Sequence, residues 1–278
     1  MYFWKMSGAG NDFIMINNIR ESIPREKFPA MARELCQRHL SIGADGIMVV
    51  EKSTEADIKA MIFNADGSEA EMCGNGTRCI ARYAWEEKLA GNPVRLETKA
   101  GFTEVERITS REYKAKLQSI SELKTGGKAT VNGREYSYTY AEVGKPGAPH
   151  IVVPLTDLRN ADREMLFKDG KSLRHHSDFP KGTNVNFCQV IDDKNVELLT
   201  WERGVEDFTY ACGTGSVSTV IALRLQKMIS SRTVNVKVPG GILKVELVEK
   251  TGNDYDVYLS GDTNIVCKGE ILDEDLLI

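Results

Sequence analysis

Apolar and polar residues alternate with a period of two over most of the chain, in short runs closed by glycine, proline or asparagine. That is the pattern of half-buried strands. Such runs cover 46–51, 58–64, 94–98, 102–108, 135–142, 150–155, 184–191, 196–201, 234–238, 243–248 and 257–260. Helical spacing is rarer. It predicts helices over about 29–40, 76–89 and 215–228, with a further short helix inside 159–171.

Two of these helices open alike. CGNGTRCIARYAWEEKL starts at Cys73 and CGTGSVSTVIALRLQKM at Cys212. After the shared Cys-Gly-x-Gly turn both run apolar around most of their circumference, so each needs burial on all sides, as a central helix wrapped by sheet. Each is followed by a strand, a small-residue turn and a second strand: VRLETKAGFTEVERI in one half, VNVKVPGGILKVELV in the other. The cysteines lie 139 positions apart, and shifting the Ala100-Gly101 turn by the same amount lands on Pro239-Gly240. This is a duplication. Upstream, GNDFIMIN and TNVNFCQVI each place an asparagine just before an apolar strand, which aligns Asn11 with Asn184 at unequal distances from the two cysteines. Two homologous domains are expected, each giving one Cys-Gly-x-Gly helix start to a common site. The boundary falls near 117–122, where the polar stretch ELKTGGKAT loosely marks it.

A length of 278 residues suits two such domains, and 41% hydrophobic with 27% charged residues is ordinary globular composition. The net charge of -4 comes without long blocks of one sign, so neither nucleic acid nor an anionic membrane surface is an expected partner. A small molecule is. The N-terminal MYFWKMSGAGNDF has no basic segment followed by an apolar one, and no stretch reaches the length of a membrane span; a cytoplasmic location is expected. No CxxC occurs among the six cysteines. Cys36, Cys188 and Cys267 sit in apolar periodic segments and read as small buried hydrophobes.

Cys73 and Cys212 differ in standing at helix starts. The first turn of a helix leaves amide N–H groups unpaired, and with the helix dipole these make a site for a carboxylate. The same environment lowers a thiol pKa from about 8.5 toward neutrality. Two facing thiolates repel, so the pair should hold one proton between them, S⁻ and SH. One sulfur can then remove a proton from a carbon while the other delivers one to the opposite face. Amide donors at the carboxylate would stabilise the charge that builds up in between.

At this point the chain resembles the diaminopimelate epimerase family from end to end. The resemblance is carried by KMSGAGNDF (5–13), FNADGSEAEMCGNGTRC (63–79), GAPH (147–150), GTNVNF (182–187), WERG (201–204) and ACGTGS (211–216). It implies an α/β (α+β) fold of two pseudo-symmetric domains, each a mixed, mostly antiparallel sheet curled around a central helix. The first would span 1–117, joined by a C-terminal strand at 263–278, and the second 118–262. It also implies interconversion of LL- and meso-2,6-diaminopimelate, a step toward lysine and the peptidoglycan cross-link, with neither pyridoxal phosphate nor a metal. Carried over residue by residue, Cys73 and Cys212 are the base and acid. His150 and Glu202 resemble the residues that assist them, respectively. Asn11, Asn64 and Asn184 resemble substrate-binding asparagines, Gly74-Asn75 and Gly213-Thr214 the anion-binding helix starts, and Glu202-Arg203 a substrate-binding pair in which Arg203 suits bidentate capture of the distal carboxylate. A homodimer stays open. His39, His175 and His176 match nothing and read as surface or packing residues.

Two positions depart from the family: Ala148 stands where many members have asparagine, and Gly46 where some place a side chain near the substrate. Ala148 motivates one competing reading, a racemase of another amino acid on the same fold. A redox protein cycling a Cys73–Cys212 disulfide would leave the asparagines and Glu202-Arg203 without a use. A cysteine hydrolase needs only one nucleophile, against the duplication.

Overall fold

The computed structural model describes residues 1–71, 73–144, 147–250 and 255–272. The chain divides into two units, Met1–Lys116 with Ser260–Ile278, and Leu117–Leu259. Each is strand-rich with few helices, the α+β class expected.

In the first unit, β1 (Tyr2–Gly8) and β2 (Asn11–Asn17) are antiparallel, with Met6 opposite Phe13. The turn between them holds Ala9 and Gly10 at φ 50° and 91°, a region glycine enters at little cost. The short helix α1 (Asn18–Glu21), a 3-10 turn (Arg25–Lys27) and helix α2 (Phe28–Leu35) lead to β3 (Gly46–Glu51), parallel to β2. Strand β4 (Ile58–Asn64) returns antiparallel to β3, and the short β5 (Glu69–Ala70) precedes helix α3 (Gly74–Glu86). Next come β6 (Val94–Thr98), parallel to β4, then β7 (Gly101–Arg107) and β8 (Glu112–Leu117) as an antiparallel meander. Because side chains alternate along a strand, Met6, Phe13, Met15, Met48 and Ile62 pack with Ile80, Tyr83 and Ala84 of α3. Ile14, Ile16, Ile47, Val49 and Phe63 face the other way, onto Phe28, Met31 and Leu35 of α2.

The second unit starts with the hairpin of β9 (Ile120–Val131) and β10 (Arg134–Val143), followed by β11 (Ala148–Pro154), antiparallel to β10. Helix α4 (Arg163–Arg174) crosses over to β12 (Asn184–Asp192), parallel to β11, and β13 (Asn195–Glu202) returns antiparallel. After β14 (Asp207–Phe208) come helix α5 (Gly213–Leu225), β15 (Thr233–Val238), parallel to β13, and its antiparallel partner β16 (Gly241–Glu249). Odd-numbered residues of β11 to β13, among them Ile151, Val153, Val185, Phe187, Leu199 and Trp201, pack with Leu166 and Leu173 of α4. The even-numbered ones are left for α5, whose residues from Gly215 to Leu223 are all buried, as its all-round apolar sequence requires. Last comes β17 (Tyr255–Glu270), whose residues from Thr263 on pair antiparallel with β1. Of the expected C-terminal strand at 263–278, residues 273–278 lie outside the described residues.

The neighbour order β1-β2-β3-β4-β6-β7 of one unit repeats as β10-β11-β12-β13-β15-β16 in the other, with α3 and α5 at the same place in each. The duplication therefore runs through the whole sheet. It corrects the upstream alignment of Asn11 with Asn184: β2 matches β11 and β3 matches β12, so the strand of Asn184 is the counterpart of the strand of Gly46. In the first parallel pairs, Phe13 faces Gly46 and His150 faces Asn184. GNDFIMIN and TNVNFCQVI look alike because both are apolar strands entered from a polar turn, while a crossover helix separates their true positions.

Three further expectations change. ELKTGGKAT, expected as a loose boundary marker, is the body of β9, held by backbone pairing to β10; its charged residues point to solvent, which hides the strand pattern. Helix α2 ends at Leu35 instead of near 40, since His39 and Gly43 take positive φ of 75° and 71°. Cys36 and Cys188 are buried, but Cys267 is exposed. A bulge explains it: Lys5 faces Cys267 while Met6 faces Ile265, so Val266 is skipped and the alternation slips by one.

Candidate active site

Both Cys-Gly-x-Gly segments fold into helix starts of the same geometry. Cys73 is the N-cap of α3 at φ -138°, ψ 112°, and its Sγ accepts the backbone N–H of Gly76 at 3.4 Å. Cys212 is the N-cap of α5 at φ -117°, ψ 112°, and its Sγ accepts from Gly215 N at 3.4 Å. The side chains of Thr77 and Ser216, at matching positions, donate back to the cysteine carbonyls at 2.8 and 2.9 Å. Sulfur thus takes the place that a serine or aspartate oxygen fills at most helix starts. The glycines at 76 and 215 permit close approach: a Cβ would lie 1.8 Å from Met48 Cε in one and 2.4 Å from Asn186 Oδ1 in the other.

Period two also gathers the polar candidates. In the first unit Asn11, Gly46 and Asn64 fall on the strand face that carries Phe13, Met48 and Ile62 toward α3. Asn75, buried in the first turn of α3, donates through Nδ2 to Asn11 Oδ1 at 2.6 Å, and Asn11 donates to Asp45 Oδ2 at 3.1 Å. Asn64 ends β4 opposite Gly46 and donates to Ser68 Oγ at 2.9 Å.

In the second unit His150, Asn184, Asn186 and Thr200 share the face turned to α5. His150 is fully buried. Burial, helped by the charge of Arg203, pushes its pKa down to about 3, so the ring is neutral. Its tautomer follows from its neighbours. Asn186 Nδ2 donates to the Ile151 carbonyl at 2.9 Å, which only an NH₂ can do, and the same nitrogen lies 3.2 Å from His150 Nδ1. Nδ1 therefore accepts, and the ring hydrogen sits on Nε2, 3.0 Å from Thr214 Oγ1. Thr214 accepts that hydrogen and keeps its own for Cys212 Sγ, 3.5 Å away. Asn184 is held at both ends by backbone groups: its Nδ2 donates to Pro149 O at 2.8 Å, and its Oδ1 accepts the Arg203 backbone N–H at 2.8 Å. Arg203 is exposed, with Nη1 donating to Lys181 O at 3.2 Å; Glu202, half-buried, closes β13.

Sequence reasoning passed over Asn186 and Arg78. Asn186 could have been found, because it stands two residues after Asn184 and so on the same strand face. Arg78 could not: it occupies an apolar-looking helix, and only its complete burial marks it. Among the described residues no three His, Cys, Asp or Glu side chains converge as metal ligands would, and no helix is long and apolar enough to cross a membrane.

The departures at Ala148 and Gly46 acquire a meaning from the duplication. Asn11 and Ala148 open equivalent strands, two residues before the Phe13 and His150 positions. Gly46 and Asn184 are likewise equivalent. Each unit carries an asparagine where the other is bare.

The sequence profile of the diaminopimelate epimerase family matches residues 3–117 and 144–266. A diaminopimelate epimerase of Caldanaerobacter subterraneus subsp. tengcongensis is 39% identical, covering 98% of this chain and 99% of its own length. One of Aquifex aeolicus is 37% identical, covering 99% of each. In fold the chain is similar to a phenazine biosynthesis protein of the PhzF family from Bacillus anthracis, with a TM-score of 0.78 at 14% identity over 98% of this chain and 99% of that one. With its sequence matched along both repeats and relatives of full length above a third identical, the chain belongs to the diaminopimelate epimerase family.

Proposed function

We propose that this chain interconverts LL- and meso-2,6-diaminopimelate by a two-base mechanism in which Cys73 and Cys212 alternate as thiolate and thiol. Family membership makes it an amino-acid epimerase, an isomerase. The observation that carries the mechanism is the duplicated cap, one sulfur at each of two equivalent helix starts, each already accepting a backbone N–H at 3.4 Å. A sulfur so placed is favoured as an anion by the helix dipole. The thiolate takes the α-proton from one face, the thiol gives a proton to the other, and the two exchange roles with each turnover.

The backbone amides at Gly74-Asn75 and Gly213-Thr214 are the donors for the α-carboxylate, and they stabilise the charge that grows there as the proton leaves. Asn11, Asn64 and Asn184 supply polar contacts, and Glu202 and Arg203 meet the substrate's ammonium and distal carboxylate. His150, neutral and holding its hydrogen on Nε2, works as a fixed donor through Thr214 and not as a general acid. The two domains at 1–117 with 263–278 and at 118–262 would each bring one cysteine, and the product would feed lysine and peptidoglycan synthesis.

Incubation with LL-diaminopimelate in heavy water tests this. Meso product should carry one deuterium at the inverted carbon while early recovered substrate carries none, and Cys73→Ala and Cys212→Ala should each abolish inversion. A single-cysteine variant that inverts LL-diaminopimelate at the normal rate refutes the two-base scheme. Ala148, the bare counterpart of Asn11, favours a second reading, racemisation of another amino acid; turnover of a monocarboxylic amino acid with no reaction of diaminopimelate would establish it.

A further inference from the structure

Arg78 is completely buried in the second turn of α3. Its Nη2 donates to Asn75 Oδ1 at 2.7 Å and its Nη1 to Gly74 O at 3.1 Å, while Nε finds no partner among the described residues. This placement is unfavourable twice over. A guanidinium remains charged when taken out of water, and the N-terminal end of a helix repels cations. Burial accordingly lowers its pKa, against the pull of Cys79, Cys73 and Asp262.

The fold does not require it. At the equivalent position of α5, 139 residues on, stands Val217, also fully buried, and that helix start keeps the same cap. What Arg78 does is fix a direction. As a donor-only group it holds Asn75 Oδ1, so Asn75 Nδ2 must face Asn11 Oδ1 at 2.6 Å, and Asn11 Nδ2 must face the acceptor-only carboxylate of Asp45 at 3.1 Å. A donor-only group at one end and an acceptor-only group at the other leave neither amide able to flip.

We propose that Arg78 is a positioning residue for the site built on Cys73: it sets the direction of the Arg78–Asn75–Asn11–Asp45 hydrogen-bond chain and supplies, from behind the helix start, the positive charge that holds Cys73 as a thiolate. This rests on reading Cys73 as a reacting group. The titratable and charged groups around the chain are Cys73, Cys79 and Arg82 on α3, Asp262 on β17, and Lys5, Asp12, Arg38 and Asp45 at its far end. Substitution at Arg78 leaves all of them in place.

The test uses the full chain with Arg78→Met, which keeps bulk without charge, and Arg78→Lys, which keeps charge without the fork. Alkylation of Cys73 by iodoacetamide is followed against pH, resolved by peptide mass spectrometry because the exposed Cys267 also reacts. With Arg78→Met the midpoint for Cys73 should rise by about one pH unit or more, kcat should fall and KM for LL-diaminopimelate should rise. With Arg78→Lys the midpoint should stay near the wild-type value while KM rises roughly tenfold, as for one lost charge-assisted hydrogen bond. A folded Arg78→Met protein with an unmoved Cys73 midpoint and unchanged KM overturns the proposal. Should Arg78→Met fail to fold, an unchanged KM in folded Arg78→Lys overturns it. The alkylation arm needs no turnover: failure of the epimerase reading would show in the wild-type reaction alone, and failure of the Arg78 proposal in the midpoints.

Discussion

Thr214→Val removes a single hydroxyl from the Cys212 helix start and preserves the shape of the side chain. The hydroxyl oxygen lies 3.0 Å from His150 Nε2 and 3.5 Å from Cys212 Sγ. Since His150 fills its acceptor side, its own hydrogen is directed at the sulfur. A hydrogen bond to a charged partner contributes about 1.5–3 kcal/mol net. At about 1.36 kcal/mol per factor of ten, losing the one made to the thiolate should lower kcat/KM roughly 10- to 150-fold. The variant should also unfold more easily by about 1–3 kcal/mol, because the buried His150 Nε2–H loses its acceptor. Thr214→Ser keeps the hydroxyl and should keep most of the activity. Inversion of LL-diaminopimelate is followed by chiral chromatography, with the pH profile of Cys212 alkylation alongside. An unchanged kcat/KM in Thr214→Val, with an unmoved Cys212 profile, would show that the hydroxyl does not serve the sulfur.

Gly215→Ala and Gly76→Ala should differ although the positions are equivalent. The new Cβ at 215 meets Asn186 Oδ1 at 2.4 Å and Cys212 Sγ at 3.2 Å, whereas at 76 the nearest atom is the flexible end of Met48. Steady-state kinetics should therefore show the larger loss of kcat in Gly215→Ala, and the reverse order would contradict the geometry. A pH effect follows from His150. Its folded pKa of about 3 lies below the ordinary 6.5, so the unfolded chain binds more protons between those values and stability falls as pH drops from about 6.5, with a slope of up to about 1.4 kcal/mol per pH unit. Urea unfolding should show a smaller loss between pH 7 and pH 5 in His150→Gln than in the wild type; equal losses would mean the ring titrates normally.

The two cysteine helices, the turn after each and the 139-residue repeat were legible because they are local: a capping residue, two glycines and an all-round apolar run carry their meaning within one segment. The rest of the repeat was harder to read. Asn11 opens β2 and Ala148 opens its counterpart β11, yet the eye is drawn to Asn184, since chemical likeness between two strands says nothing about their order in a sheet. Strand β9 escaped for another reason. Glu122, Lys124 and Lys128 put charge along an exposed hairpin, and backbone pairing to β10 supplies what its side chains do not. Cys267 was misjudged through one bulge, a single skipped residue that reverses inside and outside.

The duplicated halves keep their backbone and exchange their side chains, and this division bears on catalysis. The Gly76 and Gly215 donors and the Thr77 and Ser216 back-bonds are common to both and the N-cap angles are similar, so the backbone's contribution to a sulfur anion is alike in the two caps. Around them the pairs are unlike: Asn75 against Thr214, Phe13 against His150, Asn11 against Ala148, Gly46 against Asn184, Arg78 against Val217. An enzyme that passes from LL- to meso-diaminopimelate must treat the two ends of its substrate differently while serving one carbon from either face. Under the proposed two-base reaction, symmetric caps would answer the second demand and asymmetric side chains the first. A buried cation behind the Cys73 cap and a neutral imidazole bonded to Thr214 at the Cys212 cap add a consequence: two equal backbones lie in unequal electrostatic surroundings.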